Sequence, residues 1–132
     1  MPSRNKYRHK AVKTTVYGHK KIGHQKDGVQ YDSILEARMA RVLLANEVCF
    51  TPHVKFALVR PDGQPFDYTV DFLLHQPLDI AGVPGFVNAI EVKGVLSKKD
   101  IKRMKALEYC TPYRGWIAGE MFIKFWETEG LF

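Results

Sequence analysis

Glu91-Val92-Lys93 is the part of this chain hardest to explain as packing. It stands in Phe86-Val87-Asn88-Ala89-Ile90-Glu91-Val92-Lys93-Gly94, an apolar stretch with a Pro-Gly turn before it and a glycine at its end, which reads as a β-strand. Side chains alternate along a strand, so Glu91 and Lys93 share one face and Ile90 and Val92 the other. A carboxylate and an ammonium on a strand covered on both faces are costly unless something uses them. Asp71 sits inside a second apolar alternation, Phe66–Leu74. There Phe66, Tyr68, Val70, Phe72 and Leu74 share one face, and Asp67, Thr69, Asp71 and Leu73 the other. Hard divalent cations take oxygen ligands, and Mg²⁺ is commonly held by one or two carboxylates plus waters and phosphate oxygens. Asp71 and Glu91 supply such carboxylates, and the Val92 carbonyl lies between Glu91 and Lys93. Lys93 beside the ion can orient or deprotonate a water and neutralise a pentavalent phosphoryl transition state. Glu-X-Lys by itself is a common tripeptide. Its weight comes from an Asp in the preceding strand and a basic helix that follows. The competing reading is a structural ion pair of Lys93 with Asp71 or Glu91.

The elements that must position these side chains are legible in outline. Asp27-Gly28 signals a turn, and Asp32 or Ser33 caps a helix running to about Asn46. At 100° per residue, Arg38, Arg41 and Ala45 cluster on one side, and Met39, Ala40 and Leu43 lie opposite. Glu36 falls near the middle of the apolar side, unless it reaches solvent and serves only the helix dipole. Phe50–Val59 reads as a strand, with Pro52 at its start or on an exposed edge. Arg60–Pro65 then turns the chain into a hairpin with Phe66–Leu74. His75–Gly85, with two Pro and two Gly, reads as a loop and His75 as a loop histidine. Ser97 and Asp100 form a capping box for a helix to about Tyr109, followed by Pro112. Ile101, Met104 and Leu107 should pack inward, leaving Lys98, Lys99, Lys102, Arg103 and Lys105 as a basic surface. Arg114–Ala118 and Met121–Glu127, around Gly119-Glu120, suggest a closing hairpin. Trp116, Phe122, Phe125 and Trp126 read as core, and Leu131-Phe132 as apolar surface that can cover a second copy.

The 132 residues suffice for one domain with a genuine core, and no apolar run is long enough to span a bilayer or serve as a signal peptide. Cys49 and Cys110 match neither zinc spacing nor a disulfide framework, so two buried thiols in a reducing cytoplasm are expected. Charge divides the chain. The first 26 residues hold eight Lys/Arg and no acid; the rest hold twelve against fourteen Asp/Glu, so the arm alone accounts for the positive net charge of +6. We divide the chain into a basic arm, residues 1–26, and a single domain, residues 27–132. Arg4, Lys6, Arg8, Lys10, Lys13, Lys20 and Lys21, interleaved with Tyr7, His9, Tyr17 and His19, fit a nucleic-acid backbone. The arm should be extended, with a short strand at Lys13–Tyr17. Without cysteines at finger spacing, His9, His19 and His24 are a poor zinc set.

Taken in order, Glu36, Asp71 and Glu91-Val92-Lys93-Gly94 resemble the PD-(D/E)XK nuclease superfamily. The resemblance covers roughly residues 17–110. It is strongest to small phage-type members that open with Tyr17-Gly18-His19-Lys20-Lys21 and a helix like Asp27-Gly28-Val29-Gln30-Tyr31-Asp32-Ser33-Ile34-Leu35-Glu36-Ala37. Holliday-junction resolvases share the same core. Val70 stands where the family name has Pro, a common replacement. The resemblance implies an α/β, restriction-endonuclease-like core with a mixed central sheet flanked by helices, and phosphodiester hydrolysis dependent on Mg²⁺ or Mn²⁺. Glu36, Asp71, Glu91 and Lys93 are then the catalytic set, with Asp71, Glu91, Val92 and Glu36 around the metal. Lys98, Lys99 and Lys102 join the arm in holding DNA phosphates, which position without reading sequence. With no separate base-reading domain, branched or junction DNA is the expected substrate. Cutting both strands calls for a homodimer, acting in a bacterial cytoplasm as a phage or bacterial protein. The alternatives are a non-catalytic nucleic-acid-binding protein, or a homing-type, restriction-type or RNA-directed nuclease on the same core.

Overall fold

Ser33 starts the first helix: its hydroxyl accepts the Glu36 N–H at 3.1 Å, and α1 runs Ile34–Ala45 with Asn46 at its C-cap. In the computed structural model, which describes residue 31 and residues 33–132, α1 is followed by the hairpin β1 (Phe50–Val59) and β2 (Pro65–Asp79). Next come β3 (Phe86–Val92), α2 (Lys98–Cys110), β4 (Gly115–Ala118) and α3 (Glu120–Glu129). The basic arm with its eight cations, the strand expected at residues 13–17 and the Asp27-Gly28 turn lie outside the described residues. The fold is α/β: a four-stranded mixed sheet in the order β1-β2-β3-β4, flanked by helices. β1, β2 and β3 are antiparallel neighbours, while β4 joins parallel to β3 after the α2 crossover. No helix among the described residues is long and apolar enough to cross a membrane.

Two core clusters bury the two faces of the sheet. Ile90 and Phe72 join Met39, Ala40 and Leu43 of α1 and Ile123 and Trp126 of α3. Ala89, one residue from Ile90, joins Met104 and Leu107 of α2 on the other face. The β1–β2 hairpin serves both clusters with one alternating set of residues. Phe50, Phe72 and Leu74 belong to the first, whereas Leu58, Tyr68 and Val70 belong to the second. The change falls between Val70 and Phe72, beside His53, whose φ is 55°. The hairpin thus twists from one side of the sheet to the other at the level of Asp71.

Several expectations need correction. The last segment is not a hairpin: β4 leads into α3. Met121–Trp126 is rich in aromatic, strand-favouring types, but Ile123 and Trp126 are three residues apart and are both buried on one helical face. Tertiary packing overrides propensity here. The Trp126 indole N–H donates to the Ala81 carbonyl at 2.8 Å. Arg38, expected to point outward, forks onto Glu127 (2.7 and 2.9 Å) and reaches Glu120 (3.3 Å), tying α1 to α3. That guanidinium holds the Glu127 carboxyl below its ordinary pKa. Phe125 is exposed rather than core, and so is Ile101. Leu131 is fully buried in the protein's own core, so of the two C-terminal apolar residues only Phe132 is left as surface. Both cysteines are exposed, not buried. β2 runs on to Asp79, placing His75 inside a strand, where it bonds the Thr51 hydroxyl at 2.9 Å. A register shift between Leu73 and Leu78 accommodates Pro77.

One glycine is required by close approach. Gly115 pairs with Ala89 beneath α2, and a Cβ there would run into the Met104 thioether. Gly115→Ala should therefore destabilise the fold by about 1–3 kcal/mol through overpacking. Urea unfolding measures this, and a change under about 0.5 kcal/mol would mean that Met104 swings aside freely.

Candidate active site

β2 and β3 part company at the two acids. Their pairing runs through Leu73–Ala89 and Phe72–Ile90, which places Asp71 opposite Glu91. There the backbone ladder is replaced by side chains. Glu91 Oε1 accepts the Asp71 N–H at 3.0 Å, and Asp71 Oδ2 accepts the Val92 N–H at 2.7 Å. Each carboxylate thus satisfies a backbone donor that the splayed strands leave open. β3 meanwhile stays attached to β4, with Glu91 opposite Ile117 and the Lys93 N–H donating to the Ala118 carbonyl at 3.1 Å. One strand is held firmly on one side and opened on the other, and the opening is lined by carboxylates.

Glu36 reaches this opening from α1. It is 8% exposed, although it is an acid in the first turn of a helix. Its Oε1 lies 3.3 Å from His53 Nε2 on β1. One ligand-type atom each from Glu36, His53 and Asp71 can be chosen so that all three lie within 4.8 Å of one another. The hairpin register explains the meeting: Pro52 pairs with Phe72 and Val54 with Val70, so His53 stands across from Asp71.

The electrostatics are those of acids crowded together out of water. Burial pushes the Asp71 carboxyl well above the ordinary carboxylate range. The charges of Glu91 and Glu36 push it further, against the lowering effect of the Val92 N–H. Burial also raises Glu91, with the Asp71 N–H and Lys93 opposing. Such a pair titrates as a unit, and a nearby cation favours its ionised form. Beneath it, Tyr68 is 4% exposed and its hydroxyl has no hydrogen-bond partner among the described residues. Burial, and then the charges of Glu91, Asp71 and Asp100, raise its pKa.

Lys93 lies at the mouth, its side chain about one-third exposed. Its Nζ is 3.9 Å from Glu91 Oε2 and 3.5 Å from Asp100 Oδ1. Asp100 is the N3 residue of the α2 capping box, and its Oδ2 accepts both the Ser97 N–H (3.0 Å) and the Ser97 hydroxyl (2.8 Å). Desolvation pushes Asp100 up, but these hydrogen bonds and Lys93 outweigh it and hold the carboxyl below its usual range. A residue that starts a helix therefore also holds the lysine in place.

Comparison with known proteins returns no match: no protein-family profile, no curated protein and no solved structure. What the chain offers is its own geometry. Glu36, Asp71, Glu91 and Lys93, singled out from three separate stretches, lie around this one opening. Val92 joins them, with its N–H on Asp71. Lys98, Lys99 and Lys102 are exposed on α2, which begins five residues after Lys93. Arg4, Lys6, Arg8, Lys10, Lys13, Lys20 and Lys21 lie outside the described residues. Two members escaped sequence reasoning. Asp100 was recognised only as a cap. His53 was passed over, though counting back across the Arg60–Pro65 turn would have placed it opposite Asp71.

Proposed function

We propose that this chain is a divalent-metal-dependent endonuclease that hydrolyses phosphodiester bonds in DNA, on a core of the restriction-endonuclease type. The observation that carries the reading is the meeting of three acids and a lysine at the opening between β2 and β3. The donor set fits a divalent cation. Three carboxylates crowd the opening, and burial and mutual repulsion push Asp71 and Glu91 toward protonation. A 2+ charge is the species that would let them ionise together. Asp71 and Glu91, through the oxygens not engaged by backbone N–H groups, would hold Mg²⁺ or Mn²⁺ with Glu36 and the Val92 carbonyl. When bound, the ion supplies Lewis-acid polarisation of the phosphate and a water acidic enough to attack near neutral pH.

The chain's own residues do the rest. Asp71 and Glu91 bridge β2 and β3 by accepting the Val92 and Asp71 N–H groups, which fixes the position of the acids. Asp100 keeps Lys93 at the mouth, where its ammonium orients the attacking water and faces the charge that develops on phosphorus. Lys98, Lys99 and Lys102, with the cations of the arm, grip flanking phosphates. This contact is independent of sequence and weakens with salt. Phosphate contacts that read no bases suit recognition of DNA shape, such as a four-way junction. Two cuts there call for two sites, hence a homodimer, in the cytoplasm of a bacterium as a bacterial or phage protein. A second reading, a DNA-binding protein that cuts nothing, is favoured by one observation: the reciprocal hydrogen bonds give Asp71 and Glu91 a structural task.

The test is cleavage of matched duplex, single-stranded, flap and four-way-junction DNA, and of the same structures in RNA, with Mg²⁺, with Mn²⁺ and with chelator. Metal-dependent cutting of the junction in preference to the duplex is the expected result. DNA binding with no cutting under any condition would leave the second reading in place.

A further inference from the structure

We propose that His53 is a ligand of the same metal and turns the site toward a divalent transition ion, Mn²⁺ rather than Mg²⁺. This rests on the metal-site reading above but is tested apart from it. The argument begins with placement. His53 Nε2 lies 3.3 Å from Glu36 Oε1, and donor atoms of Glu36, His53 and Asp71 all fall within 4.8 Å of one another. An ion with bonds of about 2.1 Å has neighbouring ligands roughly 3.0 Å apart and opposed ligands roughly 4.2 Å apart. The observed set needs only a slight inward movement to close around one.

The backbone is consistent with this placement. His53 has a φ of 55°, left-handed, inside a strand. A residue with a side chain adopts this region at an energetic cost, and such strain gathers where a side chain must be aimed. Here the strain sits on the histidine opposite Asp71, at the level where the hairpin crosses from one face of the sheet to the other. The imidazole also packs against the buried Tyr31 ring, with centroids 5.8 Å apart, which limits its swing.

The chemistry follows from the donor type. Mg²⁺ keeps an oxygen shell and near-ideal octahedral geometry. A neutral imidazole nitrogen is a borderline donor that suits first-row transition ions. A site of oxygens alone would bind both ions on nearly equal terms with respect to donor type. Placing His53 beside Glu36 and Asp71 biases it toward Mn²⁺.

The experiment uses the full chain without DNA, so cleavage plays no part. Mn²⁺ and Mg²⁺ are titrated calorimetrically into wild type, His53→Asn and Asp71→Asn. The Mn²⁺ form of each is then examined by electron spin-echo spectroscopy for coupling to an imidazole nitrogen. Asn tolerates positive φ better than most residues and presents no imidazole. In His53→Asn, Mn²⁺ affinity should fall by at least about tenfold, a loss that even an outer-shell partner commonly causes. Mg²⁺ affinity should change by less than about threefold, and the nitrogen coupling seen in wild type should vanish. Wild-type Mn²⁺ without nitrogen coupling overturns the proposal whatever the variant does. So does an unchanged Mn²⁺/Mg²⁺ affinity ratio in His53→Asn. In either case, ions that still bind through Asp71 leave the metal site of the proposed nuclease intact. If neither ion binds wild type, or binding ignores Asp71, the site itself fails and His53 falls with it.

Discussion

Lys93→Ala is expected to reduce DNA cleavage by at least about a thousandfold while leaving DNA affinity within about threefold. Removing the ammonium takes away the only cation within 4 Å of Glu91 among the described residues. It does so without touching the exposed lysines of α2. The fold should survive, because Asp100 keeps its two bonds from Ser97 and the capping box of α2 remains. Lys93→Arg should restore charge but little activity. A planar guanidinium cannot place one donor on a water as a compact ammonium does, and it favours a fork onto carboxylates. Single-turnover cleavage of the preferred DNA, with affinity measured in parallel in Ca²⁺, reads both quantities. A Lys93→Ala enzyme that cuts at the wild-type rate would falsify the assigned role.

Asp71→Asn should stabilise the metal-free protein increasingly as pH rises above the ordinary aspartate value of 3.8, by on the order of 1–3 kcal/mol, the scale of a buried polar group left uncompensated. The sign follows from the direction of the shift. The Asp71 carboxyl in the folded protein is raised well above its value of 3.8 in the unfolded chain. Its contribution to stability is complete below about pH 4 and is lost as pH climbs through the raised folded value. Glu91 acts in the same direction. Asp100 and Glu127, whose values are lowered, act oppositely and lose their contribution on acidification. Only the difference between wild type and variant isolates Asp71. Asn keeps a carbonyl oxygen for the Val92 N–H, so the bridge between the strands survives. Urea unfolding at a series of pH values should show the gap opening as pH rises from 4 and closing when a divalent cation is added to wild type. A gap independent of pH would mean that Asp71 is not strained by its charge. The same variant should not cleave DNA, which makes the site a case of stability given up for function.

The site and the frame around it were legible to different degrees. Glu36 stood out by helical period, because one acid on an otherwise apolar stripe is conspicuous at 100° per residue, but period alone left open a solvent-facing role at the helix start. Glu91 was legible for the same reason at period two, and Asp71 as an acid inside an apolar alternation, on the more polar face of its strand. The hairpin β1–β2 followed from its turn residues and the capping box of α2 from Ser97 and Asp100. The segment after Gly119 was not legible. Its aromatic residues suit a strand or a helix, and only the α1 surface with Arg38 selects the helix. The loop expected after Leu74 is really more strand, because a register shift absorbs Pro77, and pairing with β3 outweighs the local Pro and Gly content.

The sequence by itself determined which residues are candidates for chemistry: three acids and a lysine on elements rich in apolar residues, together with a basic helix and arm. That information is local, since periodicity and composition reveal a charge on a face that should be buried. Only the tertiary structure decided what these residues touch. It opened β2 from β3 at Asp71, let two carboxylates complete each other's strand, and set Asp100 behind Lys93. It also brought His53 to Glu36 through a strained backbone position. The contacts across the sheet and to α1 join residues 17 to 21 positions apart, and no local pattern records a distance across a sheet.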